Sequence, residues 1–61
     1  MDNKKVLIVV PVYNEEDRIE ATINGLKKVH LIDEILIIDD GSTDNTVDIV
    51  KRLNVNLISL P

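Results

Sequence analysis

Three apolar runs alternate with two helical patterns along the chain. The first run, Val-Leu-Ile-Val-Val at residues 6–10, is continuous, which is typical of a parallel strand covered on both faces, so we predict a central strand. A second run covers residues 35–38, and a third, at residues 55–60, alternates more between apolar and polar positions. Apolar residues recur at helical spacing between the runs: Ile19, Ile23 and Leu26 in one segment, and Val47, Val50 and Leu53 in the other.

This order predicts an α/β fold of the form β-α-β-α-β, with a three-stranded parallel sheet and both helices on one face. Such an arrangement is the first half of a doubly wound fold. We predict Asn14 as the N-cap of the first helix and a positive φ at Gly41, after the second strand. A chain of 61 residues makes at most one small domain, so we assign residues 1–61 to a single unit.

The amino-acid composition limits the cellular compartment and the classes of binding partner that we expect. The chain has one aromatic residue, Tyr13, so its core must be built from Val, Ile and Leu. A formal net charge of −4 argues against binding to a nucleic-acid backbone. With no cysteine there is neither a disulfide framework nor a thiolate metal site, and we expect a cytoplasmic location. No segment approaches the roughly 20 apolar residues needed to cross a bilayer.

Two unusual polar clusters follow the first two strands. PVYNEE occupies residues 11–16 and DDGSTD occupies residues 39–44. In open parallel α/β sheets, ligands bind beyond the carboxyl ends of the strands, so we expect Tyr13, Glu15, Asp39 and Asp40 on a common rim. A tyrosine ring and carboxylates offer a flat apolar contact and hydrogen-bond acceptors, which suit a nucleotide base and ribose.

Structural roles compete with this interpretation. Residues 15–17 are equally well explained as acids that complement the dipole of the first helix. Capping or surface exposure is the simpler explanation for three more polar residues: Ser42, Asp44 and His30. For Asp39 and Asp40 we favour function, because adjacent carboxylates at the end of a buried strand repel each other and lose hydration.

The signatures GxGxxG and GxxxxGK[ST] are both absent, which disfavours dinucleotide and Walker-type binding. Instead, VVPVYNEE followed by DEILIIDDGSTDNT closely resembles the start of the family-2 glycosyltransferases, which are inverting enzymes with the GT-A fold. The resemblance covers nearly the whole chain, and its NEE variant is most similar to the polyisoprenyl-phosphate branch, which includes dolichol-phosphate mannose synthases. It implies that the chain is the N-terminal nucleotide-binding half of a Rossmann-like GT-A domain.

The resemblance also implies roles for individual residues. In the family, the Pro-x-Tyr-Asn-Glu loop holds the nucleobase and ribose of the sugar donor, and an acid after the second strand, here Asp40, hydrogen-bonds the base. The expected nucleotide-binding residues are therefore Pro11, Val12, Tyr13, Glu15, Ile38, Asp39 and Asp40. Asn14 is then mainly a helix cap.

Family members hold Mg²⁺ or Mn²⁺ on the donor diphosphate through an Asp-x-Asp motif after a later strand, and their catalytic base and acceptor site lie later still. We therefore expect no metal ligand and no catalytic residue in residues 1–61, and no activity from this segment alone. In the full-length enzyme, the expected partners are a nucleotide-diphosphate sugar and an acceptor, which is lipid-linked in the polyisoprenyl-phosphate branch. That branch also implies a location at the cytoplasmic membrane face.

A second hypothesis belongs to a different class. The chain is then a non-catalytic interaction module that self-associates through an exposed sheet edge and sheet face.

Overall fold

The structure is a computed structural model that describes residues 4–61. Five elements follow one another: β1 (Leu7–Val12), α1 (Ile19–Lys27), β2 (Glu34–Asp40), α2 (Thr46–Arg52) and β3 (Asn56–Leu60). The strands form one sheet in the order β1-β2-β3, and both pairings are parallel. The predicted β-α-β-α-β order and the three-stranded parallel sheet are therefore confirmed.

The helices cover one face of the sheet. Ile35, Ile37 and Asp39 alternate along β2 and are buried on this face. Ile35 and Ile37 form one apolar cluster with buried side chains of β1, α1 and α2, namely Val12, Ile19, Ile23 and Val50. Because both helices contribute to one cluster, they pack on the same face, as predicted.

The other face of the sheet is open in residues 4–61. Its register partners include Val9 with Leu36 and Pro11 with Ile38, and Ile38 also pairs with Ile58 on the other side. Val9 and Ile58 remain about half exposed. The prediction that the first strand is central and covered on both faces is therefore wrong for this segment. The run has the composition of a buried strand, but β1 lies at a sheet edge and the helices cover only one face.

Helix α1 begins at Ile19, later than the start predicted directly after Asn14. Asn14 has a φ of 50°, which is left-handed and differs from the extended conformation of an N-cap residue. Residues 15–18 form turns, in which the N–H groups of Arg18 and Ile19 both donate to the carbonyl of Glu15, at 3.0 and 2.8 Å. The N-cap prediction for Asn14 is therefore wrong.

Other local predictions are confirmed. Gly41 follows β2 with a φ of 78°, in the left-handed region that glycine tolerates, and His30 is exposed.

Lys27 lies in the last turn of α1, and its Nζ donates to the carbonyl of Leu53 at 2.6 Å, which joins the carboxyl ends of the two helices. Neither helix of the described residues has the length and apolar character that a membrane-spanning helix requires.

Candidate functional site

Two loops meet at the carboxyl edge of the sheet. The first loop, residues 13–18, connects β1 to α1, and the second loop, residues 41–45, connects β2 to α2. Because β1 and β2 are parallel neighbours, with Val12 paired to Asp39, both loops leave the sheet at the same edge. In open parallel α/β sheets, this is the edge where ligands bind.

Asp39 holds the second loop from inside the fold. Its side chain is on the helix-covered face and only 1% exposed. The carboxylate accepts the N–H of Ser42 at 2.9 Å and also the hydroxyl of Ser42. The positive φ of Gly41 lies within this turn. The structure thus gives Asp39 a structural role that the sequence argument discounted.

Asn14 connects the first loop to the second loop. Its backbone N–H donates to the Ser42 Oγ at 2.8 Å. Its side-chain Oδ1 accepts the backbone N–H groups of Thr43, at 2.8 Å, and of Asp44, at 3.3 Å. Asn14 is therefore bound to the second loop through both its backbone and its side chain, contacts that an N-cap role does not include.

Further hydrogen bonds continue this connection along the first loop. The Thr46 Oγ1 accepts the N–H of Glu15 at 2.8 Å, and Thr46 has no exposed surface. The Asp44 carboxylate accepts the N–H of Glu16 at 3.3 Å, and the Glu16 carboxylate accepts the N–H of Asn45 at 3.2 Å. The backbone N–H groups of residues 14–16 are therefore all bound by side chains at positions 42–46.

Asp44 is ionised at neutral pH and stabilises the start of α2. Desolvation acts to raise the pKa of Asp44, but hydrogen bonds from the hydroxyl and N–H of Thr46 and from the N–H of Glu16 outweigh this and hold the pKa below its ordinary value. The bond from the Thr46 N–H measures 2.9 Å. The N-cap position of α2 is Asn45, which makes no side-chain cap bond, and Asp44 instead binds the N–H of Thr46, the first residue of the helix.

The structure divides the seven residues predicted to bind a nucleotide into two groups. Val12 and Asp39 lie on the helix-covered face and are 6% and 1% exposed, so any contact that they make with a ligand would have to come from the backbone. The other five retain accessible surface: Pro11, Tyr13, Glu15, Ile38 and Asp40.

Tyr13 and Asp40 both lie at the carboxyl edge of the sheet. Tyr13 directly follows Val12 and Asp40 directly follows Asp39, where Val12 and Asp39 form the last register pair of β1 and β2. Both Tyr13 and Asp40 are exposed, with 55% of the surface of Tyr13 accessible. An exposed aromatic ring and an exposed carboxylate at one edge of the sheet offer a stacking surface and a hydrogen-bond acceptor to a planar polar ligand.

Arg18 also belongs to the candidate site, although it is not among the residues predicted from the sequence. Its Nη2 and Nε lie 2.6 and 2.7 Å from the Glu15 Oε1, and the Arg18 side chain is 73% exposed. Both residues line a cavity of about 230 Å³ between β1 and α1. The sequence signal for this pair is an acid and a base at i and i+3, which face each other on a turn or helix.

A larger cavity of about 310 Å³ lies at the opposite edge of the sheet, lined in part by Asp33, Glu34 and Asn54. It contacts none of the predicted nucleotide-binding residues. Because the two loops converge at the other edge, the larger cavity is not part of the candidate site.

The potential metal-ligand side chains of residues 4–61 do not form a cluster. No group of three potential ligand side chains comes together in this part of the chain. Asp39 and Asp40 lie on opposite faces of the sheet, and Asp39 is engaged by Ser42. The expectation that residues 1–61 contain no metal ligand stays a prediction.

Comparisons with known proteins agree with the geometry. The sequence profile described as "Glycosyl transferase family 2" matches residues 7–61. A UDP-N-acetylglucosamine–dolichyl-phosphate N-acetylglucosaminyltransferase of Methanococcus voltae is 45% identical over 53 residues, which are 87% of this chain and 21% of that protein. An undecaprenyl-phosphate 4-deoxy-4-formamido-L-arabinose transferase of Proteus mirabilis is 39% identical over 79% of this chain and 16% of its own length.

An uncharacterized glycosyltransferase of Rickettsia typhi is 40% identical over 95% of this chain and 19% of its own length. The chain thus spans about a fifth of the length of the curated relatives that it matches. No solved structure gave a significant match. The named relatives agree with the predicted resemblance to the polyisoprenyl-phosphate branch, and the family match agrees with the N-terminal half of a GT-A fold.

Proposed function

Because this chain belongs to glycosyl transferase family 2, we propose that its two loops bind the nucleoside part of a nucleotide-diphosphate sugar. The observation that carries the proposal is that Tyr13 and Asp40 are both exposed at the carboxyl edge of the sheet. This edge is the ligand-binding edge of open α/β sheets.

Each exposed residue has a distinct role in the proposed complex. The Tyr13 ring stacks on the base, and the Asp40 carboxylate accepts an N–H of the base in a charge-assisted hydrogen bond. Glu15 accepts a ribose hydroxyl while Arg18 balances its charge. Pro11 and Ile38 provide apolar surface on the open face beside these polar groups.

The buried residues act differently in this proposal. Val12 packs in the core and offers only its backbone. Asp39 holds Ser42 and thereby fixes the second loop.

The whole protein is proposed to transfer the sugar with inversion. An acceptor oxygen attacks the anomeric carbon, the bond between that carbon and the diphosphate oxygen breaks, and the nucleoside diphosphate leaves. We propose that residues outside this segment provide the base that takes the acceptor proton and hold the Mg²⁺ or Mn²⁺, which would neutralise the leaving diphosphate. Two relatives are named for dolichyl-phosphate and undecaprenyl-phosphate, which supports a lipid-linked acceptor. A location at the cytoplasmic membrane face is part of the proposal.

Tyr13 provides a direct test of the proposed nucleoside contact. The full-length natural protein is titrated with UDP, GDP and CDP by calorimetry, and the tightest ligand is then used with variants. Tyr13→Phe keeps the ring and is expected to bind within about threefold of wild type. Tyr13→Ala loses the stacking surface and is expected to bind roughly ten- to a hundredfold more weakly. Equal affinity of the two variants would count against stacking by Tyr13.

The open face of the sheet favours the second hypothesis, a self-associating interaction module. Four apolar side chains on this face are between 43% and 50% exposed: Leu7, Val9, Ile58 and Leu60. Sedimentation of the 61-residue chain tests the hypothesis, which predicts dimers or larger species whose fraction grows with concentration. A folded monomer at every concentration would exclude self-association.

A further inference from the structure

Asn14 has a backbone conformation that few side chains tolerate. Its φ of 50° lies in the left-handed region, where glycine, asparagine and aspartate are the residues most often found. Asn54, between α2 and β3, has the same character, with a φ of 61°. The two asparagines lie at opposite edges of the sheet, because one follows a strand and the other precedes one.

The side chain of Asn14 makes long-range contacts that its backbone conformation alone does not require. Its Oδ1 accepts two backbone N–H groups of the second loop. Independently of the side chain, the backbone N–H of Asn14 donates to Ser42, which in turn donates to the buried Asp39. A chain of hydrogen bonds therefore runs from the first loop through the second loop into the core.

The position of Asn14 gives these contacts a consequence for ligand binding. Asn14 lies directly between Tyr13 and Glu15 in the chain. Because hydrogen bonds to the second loop hold Asn14 in place, they also limit the positions that Tyr13 and Glu15 can take. A loop without this constraint populates several conformations, of which only some present the ring and the carboxylate together. The apparent dissociation constant then rises by the inverse of the competent fraction.

We propose that Asn14 is a positioning residue, which fixes the first loop against the second loop so that Tyr13 and Glu15 are arranged for the nucleoside before it binds. This inference rests on the proposed nucleotide-binding function. Asn14 acts through its neighbours and does not itself contact the ligand. Its side chain is therefore needed for affinity, while the fold needs only a residue that accepts a positive φ.

Glycine provides a clean test at this position. Asn14→Gly keeps the left-handed backbone accessible and removes only the side-chain bonds to the second loop. Asn14→Asp keeps the Oδ1 acceptor and the tolerance of positive φ, so it serves as the conservative rescue. Asn54→Gly is the matched control, because it makes the same replacement at the same backbone conformation, away from the site.

The variants are made in the full-length natural protein and titrated with whichever of UDP, GDP and CDP binds wild type most tightly, and thermal unfolding is measured in parallel. Asn14→Gly is expected to raise the dissociation constant on the order of tenfold, if the competent fraction falls to about a tenth. Asn14→Asp is expected to recover most of the affinity, and Asn54→Gly is expected to bind like wild type.

Wild-type affinity in Asn14→Gly, or an equal loss in Asn54→Gly, would overturn the positioning role while leaving the proposed function intact. A failure of Asn14→Asp to recover affinity would likewise overturn it. Absence of nucleotide binding by wild type would overturn the proposed function and this inference with it.

Discussion

Asp39 and Asp40 are adjacent in the chain but serve opposite faces of the sheet. Asp39 is 1% exposed on the helix-covered face and accepts two hydrogen bonds from Ser42, whereas Asp40 is exposed on the open face. The alternation of side chains along a strand requires this separation. One acid therefore builds the loop, and the other is available to a ligand.

The first prediction compares the two acids in stability. Asp39→Asn is expected to lower the free energy of unfolding by about 2 kcal/mol, because an amide removes the charge and turns a donor toward the donors of Ser42. Asp40→Asn is expected to change it by less than about 0.5 kcal/mol, as is usual at an exposed position. Urea denaturation measures both, and equal losses would contradict the division of roles.

A second prediction concerns the buried hydroxyl of Thr46. Thr46→Val preserves the shape but removes the acceptor for the Glu15 N–H, so unfolding is expected to become easier by about 1–3 kcal/mol. Thr22→Val makes the same replacement at an exposed position of α1 and is expected to cost less than about 0.5 kcal/mol. Similar costs for the two variants would show that the Thr46 hydroxyl contributes nothing to the joined loops.

The lowered pKa of Asp44 predicts that the free energy of unfolding depends on pH. Its pKa in the folded protein lies below the ordinary value of 3.8, so its ionised form stabilises the fold. This contribution is fully present above pH 3.8 and is lost as the pH falls through the lower, folded pKa.

The measurement for Asp44 is the difference in unfolding free energy between wild type and Asp44→Asn from neutral pH to about pH 2. The difference is expected to be largest at neutral pH and to shrink in acid, because protonation removes the charge from wild type as well. Asp48→Asn, an exposed acid on the same helix, is the control and is expected to show a small difference throughout. A difference in unfolding free energy between wild type and Asp44→Asn that stays constant with pH would contradict the prediction.

The fold was predictable because its information is local. The apolar run of residues 35–38 and the helical spacing of Ile19 and Ile23 require neither distant contacts nor a ligand to be recognised. Whether one face or both faces of β1 are covered by other elements was not predictable in the same way. A continuous aliphatic run has the same composition whether a second layer lies on its other face or not.

The site was only partly predictable for a related reason. Asn14 followed by acids matches an N-cap pattern, but the bond from its N–H to Ser42 joins residues 28 positions apart. Its left-handed conformation is stabilised by that distant loop, which no local pattern describes. The different exposure of Asp39 and Asp40 was also missed. Both acids were expected on one rim because they are adjacent in the sequence, whereas alternation along β2 puts them on opposite faces.

The central claim is that Asp40 binds the base of a nucleoside diphosphate, and calorimetric titration of the full-length natural protein tests it most directly. Wild type is expected to bind one of UDP, GDP and CDP, and Asp40→Asn to bind that ligand roughly ten- to a hundredfold more weakly, since a lost charge-assisted hydrogen bond costs about 1.5–3 kcal/mol. Asp48→Asn is expected to bind like wild type. Unchanged affinity in Asp40→Asn, or no binding of any of the three nucleotides by wild type, would contradict the claim.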